Sequence, residues 1–200
     1  MKVLNDIRFF WLLLALPAIP MLTGLANGAT AEQLLHPTGE FAARFMIIAM
    51  MATPLQMLFK RARWPLWLKR RRRALGVASF AYALAHTLLY LIDMGTLQSI
   101  LNEVTTLGIW TGWVTFLIFV PLAITSNNAM VRKLSTLWKP IQRLVYPAAV
   151  LTLLHWIYVH NNAAAAWVHF IPLALLEIYR IAITLQQRLV KTTPSSNATT

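Results

Sequence analysis

Apolar residues fill this chain in six runs of roughly 20 residues, the length a helix needs to cross the hydrocarbon layer of a membrane. The runs cover residues 9–26, 41–59, 74–93, 107–125, 144–160 and 164–183. The pattern predicts an all-α fold: an integral bundle of six transmembrane helices forming one domain over residues 1–191. The segment 192–200 is polar and predicted to be a disordered tail. The first run, FFWLLLALPAIPMLTGLA, has no A-x-A cleavage site and is followed by five more, so it reads as a retained helix. Polar positions mark the connections, and the basic ones alternate. Lys2 and Arg8 precede the first run, and KRARWPLWLKRRRR (60–73) joins the second to the third. Arg132, Lys133, Lys139 and Arg143 separate the fourth and fifth, and Arg188 and Lys191 follow the sixth. Six crossings place all of these on one side, with both termini; the positive-inside rule makes that side the cytoplasm. Glu32, Glu40, Asp93 and Glu103 fall on the other.

Composition strengthens this reading. Hydrophobic residues make up 58% of the chain and charged ones 12%, with a mean hydropathy of +0.58; a soluble domain carries about 25% charged residues. The lipid bilayer is therefore the main partner. The net charge of +12 belongs to topology and not to nucleic acid. Cysteine is absent, which excludes disulfides, thiolate metal sites and covalent C-x-x-C-H haem attachment. Every connection is short, and the chain has no G-x-G-x-x-G or P-loop. Nicotinamide or flavin chemistry would have to come from another polypeptide or a bound small molecule.

Ionisable groups at membrane depth are costly and are functional candidates. His36 falls in the loop before the second run, where it would cap or orient that loop. His160 ends the fifth run and His169 lies in the outer part of the sixth. His86 and His155 sit well inside the third and fifth, about 12 and 11 residues from their cytoplasmic starts, roughly 16–18 Å deep at 1.5 Å per residue. Those two runs share a direction, so the imidazoles lie at one level. Two histidines on separate helices at equal depth can supply both axial ligands of a b-type haem without cysteine. The plainer alternative is that each bonds a neighbouring helix. A metal held by two histidines alone is disfavoured because no carboxylate or thiolate completes a ligand set.

Other features have ordinary explanations. The basic stretch 60–73 suits anionic headgroups, with docking of an acidic redox partner or a quinone headgroup as the functional alternative. Trp64, Trp67 and Trp138 on one side, and Trp156, Tyr158 and Trp167 on the other, read as aromatic belts. Gly108 and Gly112 form a G-x-x-x-G, a weak packing signal here. Glu177 and Arg180 are spaced for an i,i+3 ion pair, with proton handling as the sharper alternative.

Three stretches resemble one family. HPTGEFAARFMIIAMMATPL (36–55), RRRALGVASFAYALAHTLLYLIDMG (71–95) and PLAITSNNAMVRKLSTLWKPIQRLVYPAAVLTLLHW (121–156) are similar, in order and spacing, to the second, third and fourth-to-fifth helices of the MsrQ (YedZ) family. That family belongs to the ferric-reductase-like transmembrane proteins. The resemblance covers about 36–183 and places a ligand histidine on His86. It implies a haem-binding inner-membrane subunit that passes electrons from the quinone pool to a periplasmic molybdopterin-containing reductase repairing oxidised methionines. Family members are also described with bound FMN. The family usually reads W-x-x-L-H-R-L-V-Y where this chain has WKPIQRLVY, so Gln142 stands at a histidine position. Gln142 lies 13 residues before His155, about 20 Å nearer the cytoplasm, and Arg73 holds the same offset before His86. Neither is a useful axial ligand. One haem b is therefore expected, on the periplasmic side. Arg73, Gln142 and Arg143 suit an anionic or carbonyl-bearing ligand such as a quinone or a flavin phosphate.

The sequence reading is thus an electron-transfer subunit of an oxidoreductase system, not a stand-alone catalyst, with His86 and His155 as haem iron ligands. The competing classes are a small transporter using the histidines as a proton relay, and a non-catalytic anchor with packing histidines. Against the first, spans one to three and four to six show no obvious repeat, and no interrupted helix pair stands out.

Overall fold

The computed structural model describes residues 6–160 and 163–192, and of residues 160, 191 and 192 the backbone alone. The predicted tail lies outside the described residues from 193 onward. Every regular element among them is helical. The helices are α1 (Ile7–Ala15), α2 (Ala18–Ala26), α3 (Ala31–Leu58), α4 (Arg63–Met94), α5 (Leu97–Glu103), α6 (Leu107–Ile124), α7 (Asn128–Leu134), α8 (Trp138–Arg143), α9 (Val145–His160) and α10 (Ala163–Thr192). One 3-10 turn, Ser135–Leu137, separates α7 from α8.

Four helices, α3, α4, α6 and α10 (to Val190), are long and apolar enough to cross a membrane. A fifth span arises if α1 and α2 count as one, although they meet at 45°. The uninterrupted first helix expected over 9–26 is broken there, because Pro17 and Pro20 each remove a backbone donor and crowd the preceding turn. The expected fifth span, α9, has 16 residues, about 24 Å at 1.5 Å per residue, short for a full crossing.

Several helices outrun their apolar cores. α3 begins at Ala31, ten residues before the predicted start, because Thr30 and Gln33 form a reciprocal capping box. His36 therefore lies inside a helix and not in a loop, with Nε2 3.4 Å from Glu40 of the next turn. α4 begins at Arg63, so most of the basic stretch 60–73 is helix; lysine and arginine are good helix formers, and Pro65 sits in the first turn, where it is tolerated. Gly95, at φ +66°, ends α4 in a left-handed conformation that suits glycine.

α3 and α4 form one tightly packed antiparallel pair, α6 and α9 a second, and α10 closes on α3. The core is built of small residues where helices touch, such as Ala43, Ala148 and Ala166, with Met46, Phe119, Phe170 and Leu173 filling between them. Ser79 Oγ donates to the Ala42 carbonyl at 2.7 Å, and the Tyr82 hydroxyl to the Leu14 carbonyl at 3.1 Å, tying α4 to α3 and α1. Leu12, Leu22, Ile92, Leu117, Val168 and Leu175 point outward, as lipid-facing side chains do.

Candidate functional site: a facing histidine pair

The two helix pairs bring the rings of His86 of α4 and His155 of α9 against each other, edge-on. Their ring centroids are 6.0 Å apart and the ring planes cross at 86°. Each Nδ1 is directed at a backbone carbonyl of the partner helix. His86 Nδ1 lies 2.9 Å from the Leu35 oxygen of α3, and His155 Nδ1 lies 2.7 Å from the Gly108 oxygen of α6. A carbonyl can only accept, so each Nδ1 carries the ring proton and the lone pair is on Nε2. Both rings are thereby set in the tautomer that ligates a metal through Nε2.

The support beneath the rings occurs twice. Thr38-Gly39 on α3 and Thr111-Gly112 on α6 are the same dipeptide, one turn beyond the accepting carbonyls of Leu35 and Gly108. Thr38 Oγ1 donates to the Leu34 and Leu35 oxygens (2.8 and 2.9 Å), and Thr111 Oγ1 to the Leu107 and Gly108 oxygens (2.9 and 2.8 Å). Both threonines are buried. A Cβ on Gly39 would stand 3.1 Å from the His86 ring, and one on Gly112 only 2.7 Å from the His155 ring. Each imidazole lies on a glycine because any larger residue would push it away. A full six-helix repeat is absent from the sequence, yet the structure contains a local duplication: two helix pairs, each offering Thr-Gly from one helix and His from the other. The Gly108-x-x-x-Gly112 spacing is part of it, with Gly108 also packed against Tyr158 and Val159. Sequence reasoning undervalued these glycines; the repeated Thr-Gly was the available signal.

The rings border a narrow slot of about 110 Å³ whose walls include Ala83, Phe116, Phe119 and Trp156. Trp156, assigned to the outer aromatic belt by its position, is instead 4% exposed and stacks on His169 at 5.1 Å. The apolar faces it meets on α10 draw it inward. Trp64, Tyr158 and Trp167 do remain exposed, while Trp67 packs edge-on against Phe10. His169 is tied to the Ala165 carbonyl through Nδ1 and receives Arg44 Nε on Nε2 at 3.3 Å, and Arg44 also pairs with Glu40 at 2.9 Å. His169 thus lies beside the slot through Trp156, not in it. The His160 side chain lies outside what is described.

Arg73, Gln142 and Arg143 are in a different place. They line a second, larger cavity of about 690 Å³ toward the basic end of the bundle, with Lys69, Arg70, Arg72, Lys139 and Arg180. Its one carboxylate, Glu177, is held by Arg180 at 2.6 Å, the plain i,i+3 pair. Met50, Phe80, Phe119 and Leu122 form its apolar wall. Arg73 bonds Asn128. The Gln142 amide nitrogen donates to Thr125 Oγ1 at 2.8 Å and to the Leu122 carbonyl at 3.2 Å. Gln142 is therefore partly committed to the end of α6. No group of three or more metal-ligating side chains occurs among the described residues.

The bundle is of the membrane-spanning kind and sets two histidines from different helices against each other above a cationic cavity. Residues 38–154 match the family described as "Ferric reductase like transmembrane component", a stretch that includes His86 and ends one residue before His155. The chain is 34% identical over 157 residues (74% of the chain, 69% of the relative) to a protein of Brucella anthropi named "Protein-methionine-sulfoxide reductase heme-binding subunit MsrQ". Proteins of the same name from Brucella ovis and Brucella suis are each 32% identical over 183 residues, covering 86% of the chain and 81% of the relative. The chain belongs to the MsrQ family. No solved structure matches it significantly.

Proposed function

We propose that this protein is the haem b-binding membrane subunit of a methionine-sulfoxide reductase system, with His86 and His155 as the axial ligands. The observation that carries this reading is the 6.0 Å between the two ring centroids. Two metal–imidazole bonds of roughly 2 Å, with roughly 1 Å from each nitrogen to its ring centre, span about 6 Å. The donor set fits: two neutral imidazoles with Nδ1 protonated, no competing thiolate, and glycines where the two ligand rings need space. Haem supplies one-electron exchange at iron. The chain's own residues hold the rings in one tautomer, exclude lipid through Phe116, Phe119 and Trp156, and set the site within the membrane.

In this reading the chain lies in the bacterial inner membrane and crosses it six times, with α1–α2 and α9 as the two incomplete-looking crossings and both termini in the cytoplasm. Electrons arrive from the quinone pool or a flavin donor and leave to a periplasmic molybdopterin-containing reductase that restores oxidised methionines in proteins. The cationic cavity around Arg73, Gln142 and Arg143 is the place for the donor's anionic or carbonyl-bearing group, a quinone or FMN. The chain holds one haem, because the cavity contributes no histidine to a second.

The test is an absorption spectrum of the purified protein. Reduction by dithionite gives sharp low-spin haem b bands, and either His86→Ala or His155→Ala abolishes them. Colourless wild-type protein overturns the reading.

A further inference from the structure

The slot between the histidines has several polar groups in its wall, and their hydrogen bonds can be accounted for one at a time. Thr87 Oγ1 donates to its own helix at Ala83 (2.9 Å), Thr115 Oγ1 at Thr111 (2.8 Å) and Thr152 Oγ1 at Ala148 (2.8 Å). Glu40 is held by Arg44 and His36. Both histidines have their Nδ1 protons on carbonyls. One hydroxyl in the wall remains: Tyr90 Oη is buried and has no hydrogen-bond partner among the described residues. A buried donor left unmade costs about 1–3 kcal/mol, so such a group points to an acceptor that the bound state supplies.

The position of Tyr90 narrows what that acceptor is. It follows His86 by one turn on α4, on the side toward Asp93 and Gly95 and away from the cationic cavity. Its ring is fixed edge-on against Trp113 of α6, with centroids 6.1 Å apart at 79°. The hydroxyl is thus held at a set place one turn from a ligand histidine, by a ring on the other helix pair. A phenolic hydroxyl donates best to a negatively charged oxygen, because charge-assisted hydrogen bonds are about twice as strong as neutral ones.

We propose that Tyr90 anchors the bound haem by donating its phenolic hydrogen to one of the haem's carboxylate side chains; this rests on the ligand assignment above. Tyr90 is a binding residue and not an iron ligand. It selects which edge of the macrocycle faces the end of α4, since only the carboxylate-bearing edge offers a charged acceptor.

Tyr90→Phe isolates the hydroxyl, because the ring and its contact with Trp113 are kept. Haem transfer from the purified holoprotein to an excess of apomyoglobin is followed for wild type and Tyr90→Phe. The measurement is repeated on both proteins reconstituted with the haem dimethyl ester, whose carboxylates are blocked. The expected result is transfer about tenfold or more faster from Tyr90→Phe with native haem, no difference between the two proteins with the ester, and unchanged bis-histidine bands throughout. The resonance Raman band of the carboxylate side chains shifts in Tyr90→Phe alone. Equal transfer rates with native haem overturn the proposal, and so does a Tyr90→Phe effect of the same size with the ester, which would mean a packing role. Wild-type protein without haem bands overturns the ligand assignment instead, so the two failures are distinct.

Discussion

At the scale of single residues, the site depends on what lies beneath each imidazole. His86 and His155 could be picked out of the sequence as polar groups at matched depth. Their carbonyl partners could not, since a backbone oxygen at Leu35 or Gly108 leaves no letter that distinguishes it from any other. The glycines allow a graded prediction. A methyl at Gly112 meets the His155 ring at 2.7 Å, closer than carbon atoms approach, whereas one at Gly39 meets His86 at 3.1 Å. Overpacking of this kind costs about 1–3 kcal/mol. Gly112→Ala is expected to lose most of its haem, and Gly39→Ala to retain the haem with a weakened complex. Haem-to-protein ratios and the low-temperature spectrum measure both; equal, full occupancy in the two variants would show that the rings are free to move.

At the scale of elements, the decisive feature is the inner end of α6. Its last carbonyls have no partner within the helix. The Trp138 indole takes the Thr125 oxygen at 2.9 Å and Gln142 takes that of Leu122. This gives Gln142 a structural task, one invisible in the sequence because Leu122 and Thr125 are far from it along the chain. Gln142→Ala removes two hydrogen bonds, costing about 1–2 kcal/mol; the melting temperature should fall by several degrees while the haem bands stay in place. If the cationic cavity receives the donor, the same variant and Arg143→Ala also slow haem reduction by a quinol. Unchanged quinol-driven reduction in both would remove the cavity from the path. Two haems per purified chain would overturn the one-haem reading at this scale.

For the whole molecule, topology can be measured directly. Four helices cross by length and composition, and the bent α1–α2 pair adds a fifth; α9 must cross to bring both termini to one side. The chain contains no cysteine, so single cysteines can be introduced without background. Thr96→Cys should react with a membrane-impermeant maleimide from the periplasm in intact cells, and Ser196→Cys only after the inner membrane is opened. Labelling of both from outside would mean an even number of crossings between the two positions instead of the expected three. The basic residues argue for the expected result, because those of α4, α7 and α8 lie at the same end of the bundle as the start of α1.

The sequence by itself determined the solvent, the helical class, the side on which the charges gather and the two histidines. Each of these follows from local chemistry: apolar runs of a fixed length, the cost of moving charge through lipid, and the cost of an imidazole at depth. The tertiary structure alone decided that α1 and α2 are bent, that Trp156 is core, that Gln142 caps α6, and that two Thr-Gly turns hold the rings at 86° to one another. These depend on pairings between helices distant in the chain, made by backbone carbonyls and missing Cβ atoms. Periodicity cannot register such partners, because what matters at each is an atom shared by every residue or an atom absent from one.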